Sequence, residues 1–138
     1  MEKPQNFYSK KVNRSNYPLS HGTYFNLGDK TIISVAGNIP VDVDGKFVGG
    51  DAIAQTTQVM ENIKNTLAEL NAGFRDVFRV IIYVSDIKDV ADINLAYAKY
   101  FDGFNGYYPS RCAFAVKELP LKSKLEVECM AVIPRVKF

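Results

Sequence analysis

Two segments near the C-terminal end alternate like strands and yet carry charge inside the alternation. They are Arg111–Val116, which begins inside Pro109-Ser110-Arg111-Cys112-Ala113-Phe114, and Leu125–Ile133, which holds Glu126 and Glu128. A charge inside an apolar strand is costly unless something pairs with it. Such strands therefore need a sheet with one dry face and one face where charge has a use. Alternation assigns Cys112, Phe114, Val116, Leu125, Val127, Cys129 and Ile133 to the dry face. It assigns Arg111, Ala113, Ala115, Glu126, Glu128 and Met130 to the other.

The rest of the chain supplies the cover. Thr23–Leu27 and Thr31–Ala36 read as strands joined through Gly28-Asp29-Lys30. From Asp51 to Asn71, Ile53, Thr56, Met60, Ile63, Leu67 and Leu70 recur at three- and four-residue steps, which is one apolar helical stripe. Gly73 suits the left-handed position that closes such a helix. Val77–Val84 is a strand with apolar residues on both sides. Asp89 is placed to cap a second helix, Val90 to about Phe101, with Asp92 favouring its amino end. The order β-β-α-β-α-β-β describes a single domain, residues 1–138, with a mixed sheet and two helices.

Two short helices cover one face of that sheet. The other, with Arg79, Ile81 and Tyr83 beside Arg111 and Glu126, is too apolar to stay wet. A second copy of the chain is expected to cover it, with Arg111 and Glu126 near the seam.

Other features exclude more than they indicate. No apolar run approaches the roughly 18–20 residues of a membrane helix, and Met1–Asn6 lacks the apolar core of a signal peptide. A formal charge of +2 with no basic block argues against nucleic acid. Cys112 and Cys129 read as buried free thiols of a reducing, cytoplasmic setting, and no zinc spacing exists. Asp42-Val43-Asp44-Gly45 begins like a calcium loop but lacks the later ligands, so Asp44-Gly45 is a turn. Arg111 reads two ways on its own: an ion pair with Glu126 or Glu128, or a cation that takes a ligand's carboxylate.

Pro109–Phe114 through Leu119, then Leu125-Glu126-Val127, resembles the signature of the reactive intermediate deaminase family (RidA, or YjgF). The likeness extends to Ala36–Pro40, Gln55-Thr56, Asn62-Ile63, Val77–Val84, Ile93–Tyr97 and Tyr100-Phe101, from about residue 17 to 133. It implies a chorismate-mutase-like α+β fold: a mixed six-stranded sheet, two helices on one face, and a homotrimer with sites between subunits. It also implies hydrolysis of enamines and imines such as 2-iminobutanoate and 2-iminopropanoate to the keto acid and ammonia, without metal or cofactor. Other members are described as endoribonucleases, translation inhibitors or 2-aminomuconate deaminases. The alternatives for this chain are a non-catalytic module that senses a small carboxylate or an endoribonuclease-type member.

Carried over residue by residue, the resemblance makes Arg111 the carboxylate-binding arginine. Glu126 becomes the glutamate beside the attacking water. Asn94 supplies an amide, Gly37 admits the ligand close to the backbone, and Tyr24 lines the pocket, with Tyr17 as the alternative. Ala113 stands where cysteine is frequent and Ala36 where serine is common, so both bear on which imine is taken. Glu128 is expected to be structural, His21 a loop residue, and Tyr107 and Tyr108 either pocket wall or surface packing.

Overall fold

The computed structural model describes residues 2–137. Six strands form one sheet in the order β1-β2-β3-β6-β4-β5: β1 Gln5–Phe7, β2 Gly22–Leu27, β3 Lys30–Asn38, β4 Val77–Val84, β5 Ser110–Ala115 and β6 Leu125–Pro134. All neighbouring pairs are antiparallel except β4 and β5, which run parallel. Helices α1, Ala52–Ala68, and α2, Val90–Ala98, pack side by side; α1 lies across β3 and β6. No helix is long and apolar enough to cross a membrane.

The helical stripe meets the sheet as its spacing requires. Val59, Met60, Ile63 and Leu67 are wholly buried against Ile33, Val35, Leu125 and Val127. Each such side chain contributes roughly 1.5–3 kcal/mol through removal from water. Asp51 caps α1, its carboxylate accepting the Ala54 N–H at 2.8 Å. The left-handed residue after α1 is Asn71, φ 56°, not Gly73, which is extended at φ −144°. Asparagine tolerates that conformation because its short side chain can bond locally. Asp89 makes no side-chain cap on α2; a 3-10 turn, Ile87–Asp89, intervenes and Asp86 caps it at Lys88. The Asp89 carboxylate instead faces Lys124 at 3.6 Å.

A third sequence assignment is overturned in β5. Register pairs Val80 with Arg111, Ile82 with Ala113 and Val84 with Ala115, and those β4 residues are buried under the helices. Arg111 and Ala113 therefore lie on the helix side, while Cys112 and Phe114 lie on the open side, both exposed. Cys129 is the buried thiol. The phase of β5 was ambiguous because Cys, Ala, Phe and Ala give it apolar residues on both faces, and a slip of one residue exchanges the faces. In β6 the assignment holds: Leu125, Val127, Cys129 and Ile133 are buried, and Glu126, Glu128 and Met130 face the open side. That side, with Phe25, Ile81, Tyr83 and Phe114, has no element of the described residues over it.

Candidate active site

The β5 correction divides the residues singled out in the sequence into two groups. Arg111 stands at the edge of the sheet beneath α2. Asn94 and Tyr97, three residues apart, share one helix face and meet it. The Arg111 Nη2 donates to Asn94 Oδ1 at 2.6 Å, and the guanidinium carbon sits 4.8 Å from the Tyr97 ring centroid. A cation over an aromatic face is held by the ring's quadrupole. Tyr97 is buried, its hydroxyl makes no hydrogen bond within normal geometry among the described residues, and burial pushes its pKa up to about 12 against the opposing pull of Arg111. Neither glutamate pairs with Arg111; among the described residues it has no acidic partner. The guanidinium is thus oriented from one side and electrically unneutralised. Its cleft, about 290 Å³, also touches Tyr108 and Pro109. Tyr107 is turned away, donating to the Val77 carbonyl at 2.6 Å. Ala113 packs against the core and lines neither cavity.

Glu126 belongs to a second cavity, about 230 Å³, at the end of β3. There the ladder between β3 and β6 shifts register between Val35 and Asn38, so Ala36 and Gly37 form an irregular step. Such bulges re-aim the chain at sheet rims and sites. A Cβ on Gly37 would strike the Glu126 carboxylate, coming within 3.1 Å of its Cδ and closer still to Oε2. Gly37 therefore makes room for Glu126, where the sequence suggested room for a ligand. Gly37→Ala is expected to displace that carboxylate and lower activity about a hundredfold, as misplacing a reacting group by about 1 Å can. The melting curve should scarcely move, since only the end of a flexible side chain must shift. Unchanged turnover in the purified variant would refute the placement.

Burial, reinforced by the neighbouring charge of Glu128, raises the Glu126 pKa above the ordinary carboxylate range. Glu128 is occupied structurally, accepting the Tyr83 hydroxyl at 3.0 Å. Because the folded-state pKa of Glu126 exceeds the unfolded one, the folded chain holds more protons between the two values. Stability therefore falls as pH rises through that window. Glu126→Gln removes the cost of burying the ionised form. The variant should melt above the parent at about pH 7.5 and level with it near pH 4. A lower melting point at the higher pH would mean that the carboxylate has a stabilising partner.

The cavity walls are tied down by groups that periodicity does not reveal. His21 is buried, its Nδ1 accepting the Ser9 N–H and its Nε2 donating to the Asn13 carbonyl, both at 2.9 Å. It fixes the segment that brings Val12 and Asn13 to the cavity, and neither ring nitrogen is spare for proton transfer. Asn62, buried on α1, donates to the Val41 carbonyl at 3.0 Å and accepts from Gln58. The sequence marks it as a polar residue next to the apolar stripe and as part of the Asn62-Ile63 likeness, but not by these contacts. Tyr17, three-quarters exposed, and Leu19 line the cavity. Tyr24 does not: it lies on the helix side of β2, against Phe7 with ring centroids 6.1 Å apart. Of the two tyrosines open in the sequence, geometry brings Tyr17 to Glu126.

Within one chain the halves cannot meet. β5 and β6 are separated by β4, about 10 Å in the sheet, and Glu126 is three residues out of step with Arg111, about 10 Å along the strands. The two side chains also leave opposite faces.

The family model described as Endoribonuclease L-PSP matches residues 15–133. A 2-iminobutanoate/2-iminopropanoate deaminase of Salmonella typhimurium is 33% identical over 127 residues, covering 90% of this chain and 98% of that protein. Protein HMF1 of Saccharomyces cerevisiae is 40% identical over 100 residues, 72% of this chain and 75% of its own. The crystal structure of YyfA, a Rid-family protein of unknown function from Yersinia pestis, aligns with a TM-score of 0.87 at 27% identity, covering 95% and 100% of the two chains. That of Escherichia coli TdcF with bound serine gives 0.83 at 26%, covering 94% and 98%.

Proposed function

Since the chain belongs to the endoribonuclease L-PSP family, which includes the 2-imino acid deaminases, we propose that it hydrolyses 2-iminobutanoate and 2-iminopropanoate to the keto acid and ammonia. The observation that carries this reading is the seating of Arg111. Asn94 and Tyr97 fix a guanidinium that no acid neutralises, which is the arrangement for taking a planar carboxylate through two parallel bonds. Serine bound to the TdcF relative is a small amino acid with such a carboxylate.

In this reading Arg111 holds the substrate carboxylate and Glu126 handles protons. The Glu126 carboxylate takes a proton from water as the oxygen bonds to the C=N carbon. From the nitrogen-protonated imine this gives a carbinolamine, which receives that proton back on nitrogen. Its hydroxyl proton then passes to the Glu126 carboxylate as the carbonyl forms, the C–N bond breaks and ammonia leaves. A carboxyl whose pKa is raised by burial is a better proton acceptor than a solvated one, which suits a group that must accept and return a proton. An enamine enters the same path after protonation at carbon. No covalent intermediate with the protein is needed; positioning and electrostatics supply the acceleration.

Because Arg111 and Glu126 leave opposite faces of one sheet, the working site joins Arg111 of one copy to Glu126 of another, in a homotrimer with three equivalent seams. The uncovered apolar face offers the contact surface. The test couples an amino-acid oxidase that releases 2-iminobutanoate to the purified protein and follows loss of the imine. Faster decay than in buffer, abolished in Glu126→Gln, is the expected result. Decay at the buffer rate, with 2-oxobutanoate still bound, would instead assign the cleft to carboxylate sensing.

A further inference from the structure

The cavity over Glu126 is larger and drier than a two-carbon side chain requires. Its 230 Å³ corresponds to nearly eight waters at their liquid share of roughly 30 Å³ each. Val12, Leu19, Ile39, Val41 and Pro120 wall it from three separate segments of the chain. Ala36 adds a methyl group beside Gly37 where a serine would place a hydroxyl.

The polar groups of the wall are mostly spent within the protein. Both nitrogens of His21 are engaged, and the Asn62 amide is bonded at its oxygen and nitrogen. Asn38 donates to the Ala36 carbonyl, and the Ser15 hydroxyl accepts the Tyr17 N–H. A polar side chain entering here would lose water and find few partners, which binding sites penalise heavily. The same internal bonds hold the walls in place before any ligand arrives, so little ordering cost falls on binding.

Resting on the deaminase reading, we propose that this cavity selects 2-imino acids with apolar side chains of about four carbons or more, branched or aromatic, over 2-iminobutanoate. The carboxylate reaches Arg111 of the neighbouring copy, the C=N carbon lies at Glu126, and the side chain fills the cavity. Each added methylene should raise kcat/KM roughly fourfold while space remains.

The experiment compares imines released in situ from 2-aminobutanoate, norvaline, leucine, phenylalanine and glutamine, acting on the intact oligomer. The leucine-derived imine should exceed the 2-aminobutanoate-derived one in kcat/KM by on the order of tenfold. It should also exceed the glutamine-derived imine, which is as long but polar. Leu19→Asn, at a half-exposed position that tolerates a polar residue, should bring the leucine-to-aminobutanoate ratio towards one. A flat or falling profile with chain length would overturn the inference and leave the deaminase reading intact. Calorimetry with 4-methyl-2-oxopentanoate and 2-oxobutanoate separates the remaining cases. Should no imine be hydrolysed, tighter binding of the longer keto acid sustains the inference while the deaminase reading fails. Equal binding, or none, removes both.

Discussion

Arg111→Lys is expected to lower kcat/KM for 2-iminobutanoate by at least about a hundredfold while the oligomer and its melting temperature stay close to the parent's. A guanidinium on a carboxylate makes two parallel charge-assisted bonds, and an ammonium makes one without the planar fit. Bonds to charged groups contribute about 1.5–3 kcal/mol each, and every 1.36 kcal/mol is tenfold in rate. The lysine also loses Asn94, because only the arginine fork spans from that amide to a ligand while lying over Tyr97. Little stability is at stake, since Arg111 is half-buried at a sheet edge and a cation over an aromatic ring contributes about 0.5–1 kcal/mol there. Steady-state kinetics with sedimentation and a thermal melt on the same preparation decide the matter. Full activity in the lysine variant would reject Arg111 as the carboxylate anchor.

That arginine also marks where the sequence was legible and where it was not. The stripe on α1 and the alternation of β6 were readable because each buries one face against a large, continuous surface, so every apolar position is constrained by its neighbours. β5 lies at the sheet edge with small or apolar residues on both faces, and its phase is set by parallel pairing with β4, a contact that leaves no period in the sequence. β1 went unread for a related reason. Gln5-Asn6-Phe7 has no alternation of its own and becomes a strand only by pairing with Thr23 and its neighbours in β2. It supplies the sixth strand that the family resemblance implied and the pattern of five did not. Arg111, Glu126, Asn94 and Gly37 were named from motifs, but their division between two faces depended on the β5 register. His21 and Asn62 act through hydrogen bonds to backbone far away in sequence, which no periodicity records.

The division between faces makes the strongest test of the whole reading. Arg111→Ala and Glu126→Gln should each be nearly inactive when purified alone, yet regain activity when the two chains assemble together. In a ring of identical head-to-tail seams, a site works only if one copy brings Arg111 and its neighbour brings Glu126. Every mixed trimer, two-to-one or one-to-two, has one seam of its three in the productive order, so about a third of parental activity should return in the isolated mixed oligomers. Co-expression with two affinity tags, followed by isolation of the mixed oligomers, measures this directly. If both groups served one substrate from the same chain, no mixture could contain a working site and activity would stay at the level of the single variants. The sheet argues against that outcome: β4 stands between the two strands, and Arg111 points under α2 while Glu126 points away from it. Recovery would therefore identify the exposed face of the sheet as the surface that brings the second half of the site into place.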